Sequence, residues 1–166
     1  MSKIPVLGFS GYSDSGKTTL IEKLIVHLKR AGLRVAVIKH HVHEELEVDK
    51  EGKDSWKFTQ AGADISIVCS PNKMAYIEQR SLEFSQLISM VHDMDLILVE
   101  GFKRESIPRI GVCRKQTNNM FPDELSRYIA VVTDKEELQT EIPKFDFDEM
   151  EMLSDYILKK ILLPKE

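Results

Sequence analysis

The sequence has few of the features that mark exported, membrane-spanning or disulfide-bonded proteins. Cys69 and Cys113 are its only cysteines, and each lies in a separate apolar run without CxxC spacing. We therefore expect two buried, free thiols rather than a disulfide or a zinc site. The apolar stretches, such as residues 96–99, are far shorter than the ~20 residues that span a bilayer. Residues 1–9 lack the pattern of a signal peptide, which favours a cytoplasmic location without membrane contact.

The sequence also lacks an excess of positive charge. Its 23 Lys and Arg residues are outnumbered by 27 Asp and Glu residues, which gives a formal net charge of −4. Nucleic-acid-binding domains usually carry a basic surface, so no nucleic-acid partner is expected. At 166 residues, with 42% hydrophobic and 30% charged residues and no Gly/Ser-rich linker, residues 1–166 are expected to form one folded domain.

What the sequence does contain is an alternation of short apolar strands with amphipathic helices. Strands rich in Val and Ile are predicted at residues 6–10, 34–39, 64–69, 74–77, 96–99, 109–113 and 128–132. Helices are predicted at residues 18–31, 54–61, 82–91 and 148–162. This order predicts an α/β fold with a largely parallel sheet flanked by helices, which binds its ligands at the carboxyl ends of the strands.

A phosphate-binding loop is the strongest motif. Residues 11–18, GYSDSGKT, match the pattern GxxxxGK[ST] between a predicted strand and a predicted helix. In such loops the backbone N–H groups and the positive helix end converge on a phosphate, the lysine reaches the β- and γ-phosphates, and the hydroxyl after it ligates Mg²⁺. We therefore predict nucleotide contacts from Gly11, Tyr12, Ser13, Asp14, Ser15, Gly16, Lys17, Thr18 and Thr19, with Lys17 catalytic and Thr18 on the metal.

Two carboxylates follow predicted strands and are further candidates. Glu100 ends the apolar strand DLILVE, where a parallel sheet would deliver it beside the phosphate loop. We predict that Glu100 holds Mg²⁺, directly or through water, and helps to orient an attacking water. Asp134 follows the strand ending VVT. Its carboxylate either accepts the N–H groups of a guanine edge, which favours GTP over ATP, or caps a following helix, and the sequence leaves both alternatives open.

Three of the five histidines, His40, His41 and His43, follow the second predicted strand. Imidazoles bind zinc or nickel, although no cysteine lies beside these three. Alternatively, His40 or His43 hydrogen-bonds a phosphate or another anion, because this loop leaves the sheet near the phosphate loop. A solvated polar turn is the third interpretation.

Three stretches together resemble the molybdopterin-guanine dinucleotide biosynthesis protein B family: GYSDSGKTTL, VIKHHVHEELEVDKEGKDSWKFTQAGA and DLILVEGFKRESIPRIGV. The resemblance covers residues 6 to about 134. It implies a phosphate-loop NTPase fold, GTP binding with weak hydrolysis, a homodimer, and action beside the transferase that attaches GMP to molybdopterin. It also implies phosphate and Mg²⁺ roles for residues 11–19 and Glu100, and it places His40, Asp49, Gly52, Lys53 and Asp54 on the active face.

The sequence thus favours a GTP- and Mg²⁺-binding adapter that assists the molybdenum cofactor guanylyltransferase, with molybdopterin as a further ligand and a homodimer formed through a sheet edge or the 74–77 strand. Hydrolysis is expected to be slow at most, because we find no arginine finger apart from Arg104 and no water-orienting glutamine. A GTP-dependent metallochaperone and a hydrolase or small-molecule kinase of the same class are the alternatives.

Overall fold

A computed structural model describes residues 4–41, 48–117 and 119–163. It divides the chain into two compact units, one of residues 1–40 with 91–166 and one of residues 41–90. The first unit contains the phosphate loop and a six-stranded sheet, and the second contains a two-stranded sheet. The prediction of one domain over residues 1–166 stays a prediction. Among the described residues, no helix has both the length and the apolar composition that a membrane span requires.

The described residues form eight strands and four α-helices, besides short 3₁₀ and π-helical turns. The strands are β1 (Val6–Ser10), β2 (Val35–Lys39), β3 (Ile65–Ser70), β4 (Lys73–Glu78), β5 (Leu96–Glu100), β6 (Arg109–Cys113), β7 (Ala130–Thr133) and β8 (Lys144–Phe145). The helices are α1 (Lys17–Arg30), α2 (Asp54–Gln60), α3 (Phe84–Ser89) and α4 (Met150–Ile157), and the chain continues from α4 as a π-helical turn (Leu158–Leu162).

The sheet of the first unit is entirely parallel. Its strands lie in the order β2-β5-β1-β6-β7-β8, so their carboxyl ends meet at one edge. Strands β5, β6 and β7 are buried almost throughout, which is typical of parallel sheets that are covered on both faces. This architecture confirms the predicted α/β fold with a largely parallel sheet and flanking helices.

Helices α1 and α4 pack with one face of this sheet into a single apolar core. Alternate strand residues such as Leu7 and Phe9 share the core with a stripe on α1 that includes Leu20 and Leu24. Leu153 brings α4 into the same cluster. Because the stripe on α1 has the helical spacing of three to four residues, burial of this face fixes the direction in which α1 leaves the phosphate loop.

The second unit contains α2, an antiparallel hairpin of β3 and β4, and α3. Most hairpin residues are exposed, and Cys69 is one of them. The prediction that Cys69 is buried is therefore wrong, because an apolar run indicates a strand but not whether a helix covers it. Cys113 in β6 is buried, as expected, and both thiols are free.

Several element boundaries differ from the sequence prediction. Strand β7 begins at Ala130 rather than at residue 128, because a short 3₁₀ turn (Leu125–Arg127) precedes it. Helix α3 covers six residues rather than the predicted 82–91. Strand β8 was not predicted, since its two residues are too few to show a strand pattern.

Candidate functional site

The phosphate loop connects β1 to α1 at the carboxyl edge of the parallel sheet. Gly11 has no room for a side chain, because an added Cβ would lie 2.4 Å from the carbonyl oxygen of Val112. Asp14 and Gly16 have φ angles of 60° and 85°, in the left-handed region that favours glycine. The tight turn thus brings the loop backbone to the N-terminus of α1, an arrangement that suits phosphate binding.

Lys17, the first residue of α1, folds back over the loop. Its Nζ donates hydrogen bonds to the carbonyl oxygen of Tyr12 at 2.6 Å and to Oγ of Ser15 at 3.4 Å. Partial burial lowers the pKa of Lys17, Glu100 opposes this shift, and two neighbouring lysines add to it. An ammonium that is partly desolvated beside other cations is stabilised by an arriving anion.

Thr18 and Glu100 form a pair of oxygen ligands beside Lys17. The Thr18 hydroxyl donates to the Glu100 carboxylate, 3.3 Å from Oε2 and 3.5 Å from Oε1. Glu100 reaches this position because it ends β5 and pairs in register with Phe9 of β1. Nζ of Lys39 lies 3.6 Å from the same carboxylate. A hydroxyl and a carboxylate are hard oxygen donors of the kind that Mg²⁺ prefers, so this donor set fits the ion.

An open cleft of about 590 Å³ lies over the loop, within the size range of small-molecule sites. It is lined by Ser13, Asp14, Gly16, Lys17, Thr18, Thr19, Glu100, Arg114 and Gln116. All but the last two were sequence candidates. Of the other loop candidates, Tyr12 is exposed beneath Nζ of Lys103 and Ser15 is buried beside Gly11, so neither lines the cleft.

Arg114 and Gln116 are the cleft residues that sequence reasoning missed. They follow β6, where they match no phosphate-loop motif. Only their position in the sequence pointed to them, because they follow an apolar strand at the edge where parallel sheets bind ligands. Arg104, the arginine that the sequence suggested, is exposed in the turn after β5 and does not line the cleft. The expectation that no arginine finger apart from Arg104 and no water-orienting glutamine act at the site stays a prediction.

A buried arginine supports the turn that follows Glu100. Arg109 of β6 is 2% exposed and reaches across β1, where an added Cβ at Gly8 would lie 2.9 Å from its Nη1. Its guanidinium donates to the carbonyl oxygens of Gly101 at 3.1 Å and Glu105 at 3.0 Å, and also to that of Phe102. Burial lowers the pKa of Arg109. One side chain thus holds the backbone immediately after Glu100.

His40 lies at the carboxyl edge, directly after β2. Its backbone N–H donates to the carbonyl oxygen of Glu100 at 2.9 Å, and its ring centroid lies 4.6 Å from that of Phe102. Gly101 has a φ of 95°, and an added Cβ there would lie 2.8 Å from the Cβ of His40. His43, which the predicted histidine cluster requires, lies outside the described residues. Within residues 4–41, 48–117 and 119–163, no group of three or more His, Cys, Asp or Glu side chains is placed to hold a metal ion.

Asp49 and Asp54 belong to the second unit. Oδ1 of Asp49 accepts hydrogen bonds from its neighbour's backbone N–H at 2.8 Å and from the Ser55 hydroxyl at 3.1 Å. Asp54 begins α2 and forms an ion pair with Lys57. Their place on the active face stays a prediction.

Asp134 has a local role that the sequence did not suggest. Its Oδ1 accepts the backbone N–H of Lys115 at 2.6 Å. The chain then runs from β7 to β8 without an intervening helix in this described stretch, so the alternative that Asp134 caps a following helix is wrong. The next residue, Lys135, is buried and donates from Nζ to the carbonyl oxygen of Asn119 at 3.0 Å. Together these side chains hold the loop that carries Arg114.

Comparison with known proteins identifies the family. The sequence model of molybdopterin guanine dinucleotide synthesis protein B matches residues 6–134, well over half of the chain. The chain belongs to this family. Proteins of Haemophilus influenzae and Escherichia coli named molybdopterin-guanine dinucleotide biosynthesis adapter protein are 38% and 37% identical to it. The alignments cover 94% of this chain in both cases, and 89% and 93% of the two relatives.

Solved structures of the protein B family have the same fold. The crystal structure of Bacillus subtilis MobB matches with a TM-score of 0.78 and 28% identity, covering 95% of this chain and 98% of that one. A second structure, described as molybdopterin-guanine biosynthesis protein B, matches with a TM-score of 0.72 and 32% identity over 93% of this chain and 98% of its own. These matches confirm the family resemblance drawn from the sequence.

Proposed function

We propose that this member of the protein B family is a GTP- and Mg²⁺-binding adapter in molybdopterin guanine dinucleotide biosynthesis. The observation that carries the proposal is the meeting of Thr18 and Glu100, 3.3 Å apart, beside Lys17 on the phosphate loop. The name of the two relatives supports the adapter role. In this proposal the protein works in the cytoplasm beside the molybdenum cofactor guanylyltransferase, and molybdopterin is a further ligand.

In this proposal different residues bind the phosphates, the Mg²⁺ ion and the guanine base. Lys17 offers a compact charge to the β- and γ-phosphates, while the loop backbone and the start of α1 hold the remaining oxygens. Thr18 and Glu100 would hold Mg²⁺, which neutralises phosphate charge when bound. We propose that Asp134 selects guanine by accepting the N–H groups of its edge. In the structure its Oδ1 accepts the backbone N–H of Lys115. Hydrolysis by the isolated protein is proposed to be slow, as the family resemblance implies.

Titration calorimetry with Mg²⁺-GTP and Mg²⁺-ATP tests the nucleotide part of the proposal. GTP is expected to bind more tightly than ATP, and Lys17→Ala is expected to abolish measurable GTP binding. Lys160→Ala, which removes an exposed lysine from the C-terminal π-helical turn, is the matched control and should bind like the parent. Unchanged GTP affinity in Lys17→Ala would refute the phosphate-loop assignment, and tighter ATP binding would refute guanine selection by Asp134.

A separate assay tests the adapter role. Purified guanylyltransferase is supplied with molybdopterin and GTP, and formation of the guanine dinucleotide is followed with and without this protein. We expect the parent to increase product formation and Lys17→Ala to lose most of that effect. No stimulation by the parent, under conditions where it binds GTP, would contradict the adapter role while leaving nucleotide binding intact.

The hairpin supports the homodimer that we also propose. In its antiparallel register Ile67 pairs with Tyr76, and Met74 pairs with Cys69, so these side chains share one face. Ile67, Tyr76 and Met74 are all exposed, with Met74 at 65%. A second copy would cover this apolar face. Light scattering should give a dimer for the parent and a monomer for Met74→Lys, whereas a monomeric parent would refute the proposal.

A further inference from the structure

Arg114 enters the phosphate-loop cleft from β6, the strand beside β1. It is the first residue after that strand, and its side chain crosses to the loop. An added Cβ at Gly16 would lie 2.7 Å from Nε of Arg114 and 3.4 Å from its Cζ. The second glycine of the motif therefore does more than permit a positive φ, because it leaves the space that the guanidinium occupies.

An aromatic ring fixes the position of this guanidinium. Cζ of Arg114 lies 4.1 Å from the ring centroid of Phe147. Phe147 is itself 6% exposed and belongs to the apolar core of the first unit. Stacking of a guanidinium on a ring from a packed core limits its rotation and leaves its edge free to donate hydrogen bonds.

The hydrogen bonding of the Arg114 side chain is incomplete. Its Nε is buried and has no hydrogen-bond partner within the described part of the chain. A buried, unpaired N–H of a charged group is destabilising unless an acceptor arrives. The adjoining cleft contains Lys17 and lies near Lys39 and Lys103, whose charges act on Lys17. With Arg114, these cations outnumber the two carboxylates of the cleft, Asp14 and Glu100. In a protein of net charge −4, this concentration of cations favours an anionic ligand.

We propose that Arg114 contacts the bound nucleotide directly, donating hydrogen bonds to its phosphate oxygens as a planar partner of Lys17. Phe147 acts through Arg114 as a positioning residue. This inference rests on the proposed function, since it requires a nucleoside polyphosphate in the cleft. It adds to that function a cation from outside the phosphate-loop motif, directly after a different strand of the sheet.

Displacement of a fluorescent GTP analogue by Mg²⁺-GTP, Mg²⁺-pyrophosphate and guanosine tests the proposal. Arg114→Ala should weaken GTP and pyrophosphate about 10- to 100-fold, the loss expected for a hydrogen bond to a charged group, and should leave guanosine unchanged. Arg114→Lys should recover part of the loss, because it keeps the charge without the planar fork. Phe147→Leu should give an intermediate loss. Arg30→Ala, at the exposed end of α1, is the control and should bind like the parent.

Each outcome of this experiment has a defined meaning. Unchanged GTP affinity in Arg114→Ala, with binding lost in Lys17→Ala, overturns the role of Arg114 and leaves the proposed function standing. Unchanged affinity in both variants overturns the proposed function itself. An equal loss for guanosine and GTP places Arg114 on the base rather than the phosphates and overturns the proposal. If Arg114→Ala unfolds, Arg114→Gln gives the same comparison with the bulk of the side chain retained.

Discussion

Replacement of Gly16 by alanine is expected to destabilise the protein in two ways, by backbone strain and by a clash with Arg114. Gly16 has a φ of 85°, and an alanine held in the left-handed region costs about 1–2 kcal/mol. The new Cβ would also lie 2.7 Å from Nε of Arg114, so the guanidinium must move. Loss of its stack on Phe147 adds about 1–2 kcal/mol, the value for a partly desolvated cation–π pair. Gly16→Ala should therefore lower the free energy of unfolding by about 2–4 kcal/mol.

Gly32 provides a matched control within the same unit. Its φ is 84°, almost the same as that of Gly16, but an added Cβ there would meet nothing within 4 Å. Gly32→Ala should therefore show the strain alone, about 1–2 kcal/mol. Urea denaturation of the ligand-free proteins measures both values, and the difference between them isolates the contact.

A double variant completes the test. Once Arg114 is replaced by alanine, the clash at Gly16 is gone, so adding Gly16→Ala should then cost no more than Gly32→Ala does. This non-additivity is expected only for residues in contact. Equal losses in Gly16→Ala and Gly32→Ala, with additive effects in the double variant, would refute the reasoning.

Three further predictions concern other parts of the molecule. Glu100→Gln should reduce the extent to which Mg²⁺ strengthens GTP binding, because it removes a negative charge from the oxygens that we propose to hold the ion. It should slow hydrolysis more than it weakens GTP binding. Equal Mg²⁺ titrations of variant and parent would exclude Glu100 from the metal site. Iodoacetamide should label Cys69 in the folded protein but not Cys113, because burial raises the pKa of the Cys113 thiol and shields it; mass spectrometry showing equal labelling would contradict this. Arg109→Met should lower the free energy of unfolding by about 2–5 kcal/mol, because three backbone carbonyls lose their donor. Arg127→Met should cost under about 1 kcal/mol, because Arg127 is half exposed and its partner Asp123 keeps hydrogen bonds from the Ser10 and Tyr128 hydroxyls. Similar melting curves for the two variants would show that the buried contacts of Arg109 do not stabilise the fold.

Features that depend on neighbouring residues in the sequence could be predicted. The phosphate loop is a local pattern between a strand and a helix, and the structure places it there. Glu100 could be predicted for a similar reason, because the end of an apolar strand in a parallel sheet lies at the ligand edge. Its hydrogen bond with Thr18 then follows from the register of β5 with β1.

Features that depend on distant pairing could not be predicted. Arg114 reaches the loop only because β6 lies beside β1, a neighbour relationship that no local pattern contains. Asp134 accepts a hydrogen bond from Lys115, 19 positions away in the sequence. The sequence therefore predicted that Asp134 follows a strand but not that it contacts Lys115. The burial of Cys69 was wrongly predicted because the apolar pattern of a hairpin does not show whether another element packs against it.

The reach of Arg109 across β1 links three strands through one side chain. The side chain starts in β6 and passes over Gly8, and its guanidinium contacts the turn after β5, next to Glu100. A side chain at Gly8 would obstruct that path, and a shorter residue at 109 would leave the turn unsupported. The two positions therefore form an epistatic pair. A variant library should tolerate bulk at Gly8 only where Arg109 has also changed, and in those variants the turn after Glu100 loses its hydrogen bonds from the guanidinium.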